Sequence, residues 1–266
     1  MDFFTLLVVA LLVAASVAIY GRMFQGVYLS NGGKVSGEQF TRLDVYFVFI
    51  IVFYILWMSF QTVSSGRPLS SRHIDTSLLI VGVLIQWSVI LLPILISFAL
   101  RHMRPTALFG LDILQFRKVV LLGIGLLLAA LPTIGLSGVL VSKVFNFNAQ
   151  RDSQEIVRVF ENADSPSQKI PIILLAVVVA PMIEEFVFRG FVYGVLKRHF
   201  GAFSSLIFSA ILFAVVHLHA PSLVPLFLLA CALTIAYEFS GSLLVPMTMH
   251  AFFNGLTLVG VFFAHP

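Results

Sequence analysis

The chain alternates long apolar blocks with short polar ones. Apolar runs near the length needed to cross a bilayer, about 20 residues, lie at roughly 3–20, 45–63, 76–100, 119–142, 170–194, 203–220, 222–240 and 243–263. They predict an all-α, polytopic membrane protein of about eight transmembrane helices. Lys143 to Lys169 is the longest polar stretch. Within it, the surroundings of Ile156, Val157, Val159 and Phe160 predict a short interfacial helix. The expected organisation is a four-span region over 1–142, a polar loop over 143–169 and a second four-span region over 170–263. No internal repeat is evident.

Composition strengthens the membrane reading. Of 266 residues, 59% are hydrophobic and 11% charged, and the mean hydropathy is +1.04. Soluble chains carry about a quarter charged residues, so too few charges are present to cover a soluble protein of this size. With 27 Phe, disorder and fibrous repeats are excluded. Cys231 is the single cysteine, which rules out an internal disulfide. The formal charge of +4 comes from basic residues between apolar runs, where topology and lipid headgroups account for them. There is no basic stripe interleaved with aromatics, so no nucleic-acid partner is expected.

The N-terminus, Met1-Asp2-Phe3, lacks the basic region of a signal peptide, and the first run is expected to stay as a span. Arg22, Lys34 and Arg42 follow it. Arg101, Arg104, Arg117 and Lys118 lie between the third and fourth spans, and Lys197 and Arg198 between the fifth and sixth. The alternate loops offer Arg67, Arg72 and the mixed 143–169 segment. The first set is the expected cytoplasmic face, with both termini on the other side, in the plasma membrane of a prokaryote.

Against this background a few polar residues are misplaced. The fifth run, IPIILLAVVVAPMIEEFVFRGFVYG, carries Glu184, Glu185 and Arg189; the sixth carries His217 and His219; the eighth carries His250 and Asn254. Ionisable groups in hydrocarbon are costly and mark functional sites by default. Glu185 and Arg189 are four apart and can pair. Glu184 points about 100° away from Glu185 around the helix, toward a cavity. His250 and Asn254 share a face. Glu184, His217 and His250 lie at depths that converge across antiparallel spans. Pro181, one turn before Glu184, can free backbone carbonyls for a polar site.

The chemistry open to this set is narrow. A buried carboxylate beside an imidazole can take a proton from water. A second imidazole and an amide can stabilise an oxyanion. Glu184, His217 and His250 could alternatively hold a divalent metal such as zinc, although there is no HExxH. No serine lies in a GxSxG elbow, and no spacing gives Cys231 an imidazole, so a covalent nucleophile has little support.

Three short motifs add a resemblance. EEFVFR (Glu184, Glu185, Arg189) is similar to the EExxxR motif, FAVVH (Phe213, His217) to FxxxH, and HAFFN (His250, Asn254) to HxxxN. In that order they resemble the CPBP family of intramembrane endopeptidases, also called Abi or type II CAAX proteases, which includes the Rce1-type prenyl-protein endopeptidases. The resemblance covers about residues 170–260. It implies a CAAX-protease-like helical bundle in which Glu184 and His217 activate water, while His250 and Asn254 polarise the carbonyl. Glu185, Arg189 and Phe213 would orient and shape the site. It also implies that no cofactor is required, and that the substrate is a membrane-associated protein or peptide.

Two other readings compete. One is a non-catalytic membrane scaffold or peptide-toxin immunity protein; the other is a small proton-coupled transporter, disfavoured by the missing repeats. Bland roles suffice elsewhere. His219 is expected at an interfacial helix end. Tyr237 and Glu238 are expected as a headgroup anchor and a loop charge, and Gly190 and Gly194 as close-packing positions beside the site.

Overall fold

The computed structural model describes residues 3–30, 33–64, 76–147, 154–163 and 165–264. Their regular structure is entirely helical, with no strand among them. Helix α1 covers Phe3–Phe24 and continues through a widened turn, Gln25–Leu29. It is followed by α2 (Arg42–Ser64), α3 (Thr76–Leu100), the short α4 (Pro105–Leu108), α5 (Phe116–Phe145) and α6 (Glu155–Glu161). Helix α7 is one rod over Pro166–Phe200, followed by α8 (Ala202–Val216), α9 (Leu223–Ser240) and α10 (Leu244–Ala264).

Among the described residues, seven helices are long and apolar enough to cross a membrane, so the chain is an integral, multi-pass membrane protein. The expected sixth span at 203–220 is shorter, with only the 15 residues Ala202–Val216 helical. The cause is local. Pro221 can neither donate a backbone hydrogen bond nor tolerate a helical residue before it. Leu218 turns the chain with a left-handed φ of 49°, a rare conformation for a large side chain. The helix therefore stops at His217, and one of the misplaced polar residues sits at a corner instead of inside a span.

One end of the bundle is a plate of interlocked loops. Arg101 pairs with the buried Asp44 at 2.8 Å and also donates to the Gln39 carbonyl. His199 meets the Thr41 carbonyl, and Leu243 N–H bonds to the Phe109 carbonyl at 2.9 Å. The loops after α1, α3, α7 and α9 thus share one face, as alternating spans require. They carry Lys34, Arg101, Arg104 and Lys197 together. Arg67 and Arg72, set against them in the charge comparison, lie outside the described residues.

Glu238 corrects an expectation. It is no loop charge: it is fully buried and paired with Lys197. Its carboxylate also accepts from the Tyr193 hydroxyl at 2.6 Å and the Val35 N–H at 3.2 Å. Tyr237 is buried too, at 1% exposure, so it is core, not a headgroup anchor. Gly190 and Gly194 do allow close packing, but against Phe109 and Phe40 beneath this plate and not at the site.

The fourth spanning helix, α5, is central and packs on α1, α9 and α10. Tyr20 donates to the Leu126 carbonyl at 2.8 Å, and Thr133 to Ser16 at the same distance. At the α5–α10 crossing a Cβ on Gly123 would lie 2.8 Å from Thr248 Cγ2. Small residues let membrane helices approach this closely. Gly123→Val is therefore expected to cost about 1–3 kcal/mol through overpacking. Thermal unfolding of the purified protein in detergent reads this as a lowered midpoint; an unchanged midpoint would mean the crossing relaxes freely.

Candidate active site

The EEFVFR segment lies where α7 changes geometry. Ala180–Glu185 is regular helix, flanked by widened, i→i+5 bonded turns at Leu175–Val179 and Phe186–Tyr193. Such turns often occur at functional sites. In the first of them Ala180 N–H reaches the Leu175 carbonyl. The next donor in that register would be Pro181, which has no N–H to offer the Ala176 carbonyl. Asn254 of α10 fills the gap, its Nδ2 donating to Ala176 O at 2.9 Å. One amide N–H of Asn254 thus ties α10 to α7, and the second is uncommitted.

Glu184 and Glu185 part as their spacing implies. Glu185 is fully buried. It accepts from Arg189 Nη1 at 2.9 Å and from His250 Nδ1 at 2.8 Å, both on Oε1. Arg189 lies over the Phe213 ring, 4.3 Å from its centroid, a cation–π contact in an apolar setting. Because Nδ1 of His250 donates to Glu185, its Nε2 is turned to Glu184, 3.8 Å from Oε2. Glu184 keeps 16% of its side chain accessible.

His217 is fixed by its own helix. Its Nδ1 lies 2.6 Å from the Phe213 carbonyl. A carbonyl can only accept, so Nδ1 carries the proton and the neutral ring leaves Nε2 as an acceptor. Phe213 is the common wall. It is wholly buried, with its ring 4.7 Å from that of His217 and 5.7 Å from that of His250.

Glu184, His217, His250 and Asn254 line one cavity of about 440 Å3. Its remaining walls are largely apolar, including Leu175, Leu226 and Phe253. Volume and lining suit an extended segment with apolar side chains. Helix α6 contributes Ile156 and Val157 to this lining, and Gln154 just before it donates to Ser222 at 2.9 Å. His219 Nδ1 meets the same Ser222 hydroxyl at 2.7 Å, so His219 braces the corner after α8 and stays apart from His217.

Sequence reasoning missed Val83 and Trp87. Both come from α3 in the seemingly plain first half and line this cavity. A tryptophan in mid-span, away from the interfacial belt, was the available signal. For a metal, no three His, Cys, Asp or Glu side chains converge among the described residues. As placed, Glu184, His217 and His250 therefore form no preassembled tetrahedral zinc site.

Residues 166–256 match the family model described as Rce1-like, type II CAAX prenyl endopeptidase. No curated protein and no solved structure matches the chain. The matched stretch runs from the first turn of α7 into α10 and contains EEFVFR, FAVVH and HAFFN. Residues 166–256 are thus a domain similar to the CPBP, or CAAX protease, family.

Proposed function

We propose that the protein is an intramembrane endopeptidase that hydrolyses a peptide bond in a membrane-associated protein or peptide, using water activated by Glu184 and His217. The observation that carries this reading is the gathering of Glu184, His217, His250 and Asn254 on one largely apolar cavity within the bundle.

Water bound between the Glu184 carboxylate and the free Nε2 of His217 attacks the scissile carbonyl carbon. Its proton passes to Glu184, and the carbonyl π pair moves to oxygen. The oxyanion is met by the uncommitted amide N–H of Asn254 and by His250. His250 donates from Nε2 in its imidazolium form while Glu185 accepts its Nδ1–H. Collapse of the tetrahedral species breaks the C–N bond, and Glu184 returns its proton to the departing amine. Arg189 neutralises Glu185, so the carboxylate that matters for the water remains Glu184.

The test is cleavage of membrane-anchored peptides by the full chain in proteoliposomes, with Glu184→Gln as the comparison. A second expected outcome concerns metals. Prolonged treatment with EDTA or 1,10-phenanthroline, followed by dialysis, should leave the rate within about twofold, since Glu184 and His217 need no Lewis acid to bind water. Loss of cleavage that returns with added zinc would defeat the metal-free mechanism.

A further inference from the structure

Glu184 and His217 border a second cavity as well. It measures about 160 Å3 and lies between α7, α8 and the two first-half helices α2 and α3. It meets the larger cavity at Glu184, His217 and Trp87, the three residues common to both linings. Its far wall carries Ser59 of α2 and Gln86 of α3. Neither Ser59 nor Gln86 has a hydrogen-bond partner among the described residues. Both lie on apolar spans, Arg42–Gln61 and Ile80–Leu100, where an unsatisfied hydroxyl or amide is costly.

We infer that this smaller cavity is the water chamber of the hydrolytic site, and that Gln86 and Ser59 are positioning residues that hold water against Glu184 and His217. Resting on the hydrolytic reading above, the inference adds the supply of the second substrate. A peptide in the larger cavity blocks direct access of solvent to the catalytic pair from that side, yet every turnover consumes one water. A chamber behind the pair, with the Trp87 indole bordering both cavities, supplies that water without displacing the peptide. At about 30 Å3 per molecule in the liquid, 160 Å3 holds about five waters. Gln86 offers two donors and an acceptor, and Ser59 one donor and two lone pairs. Those are the partners a short water file needs, and they replace the hydrogen bonds the two side chains otherwise lack. The α3 residues Val83, Gln86, Trp87 and Ile90 follow the i, i+3, i+4, i+7 spacing of one helical face. The same face therefore serves the peptide cavity through Val83 and the water chamber through Ile90 and Gln86.

The experiment has two arms. In a Cys231→Ser background reconstituted in liposomes, Ser59→Cys and Gln86→Cys are exposed to a small cationic methanethiosulfonate. Val89→Cys, on the exposed side of α3, is the lipid-facing control. The chamber positions are expected to react at least tenfold faster than Val89→Cys. Equal rates would show the cavity to be dry and overturn the inference. In the second arm, Gln86→Leu and Ser59→Val are assayed against a substrate whose cleavage Glu184→Gln abolishes. Here kcat is expected to fall about tenfold, the loss typical of one hydrogen bond, with KM within twofold and the cleavage position unchanged. A raised KM or a shifted cleavage position would mean that the chamber holds peptide, not water. If Glu184→Gln leaves cleavage intact, the protease reading fails on its own, while the labelling rates still decide whether the chamber is wet.

Discussion

Glu184→Gln is expected to lower the cleavage rate by a factor of about a thousand or more, with the fold intact. General acid–base groups contribute on the order of 10²–10⁴, and Glu184 performs both proton transfers in the proposed cycle. Glutamine preserves size and one hydrogen-bond acceptor but accepts no proton. Among the described residues Glu184 makes no salt bridge other than the 3.8 Å approach to His250, and it is partly accessible, so its charge is not a structural keystone. Thermal stability should therefore stay within about 0.5 kcal/mol of the parent, as for substitutions that break no buried network. His217→Ala should fall in the same activity range. The double variant should be hardly slower than either single one, because residues acting as a unit are non-additive. Rates are measured on a reconstituted, membrane-anchored peptide, with circular dichroism and thermal melts alongside. A Glu184→Gln protein that cleaves at the parental rate would end the proposed chemistry.

Most of the architecture could be read before any coordinates. Long apolar blocks admit little besides membrane helices, because the bilayer leaves no other backbone solution than helices or closed barrels. The four side chains around the larger cavity were also visible, since charge-poor spans make each buried polar residue conspicuous. What could not be read was the geometry of exceptions. The end of α8 at Val216 depends on Pro221 and the left-handed Leu218, and hydropathy does not register either. The burial of Glu238 depends on Lys197, Tyr193 and the backbone of Val35, drawn from three distant segments. A charge at a span end looks the same in sequence whether it meets lipid headgroups or a folded loop. Val83 was hidden for a similar reason, because an apolar residue on a membrane helix does not declare which face looks inward.

Arg189→Met is expected to be the most damaging single change to stability. Arg189 is 1% exposed and Glu185 fully buried. Removing one partner of such a pair leaves an uncompensated charge and costs about 3–5 kcal/mol. The cation–π contact with Phe213 is lost with it. The pair is not fully satisfied even in the parent, since Glu185 Oε2 and Arg189 Nη2 lack hydrogen-bond partners, so its net contribution as a pair is smaller than the cost of breaking it. That asymmetry yields a sharper expectation for the double variant Glu185→Gln/Arg189→Met. With both charges gone, no buried ion is stranded, and much of the lost stability should return. Activity should not return, because the carboxylate that accepts the Nδ1–H of His250 and orients its ring is gone. Melting temperature and cleavage rate, measured on the same preparations, separate the two roles. A double variant as unstable as Arg189→Met would place the energy in the packing of Arg189 against Phe213. One that is stable and fully active would remove Glu185 from the orientation of His250.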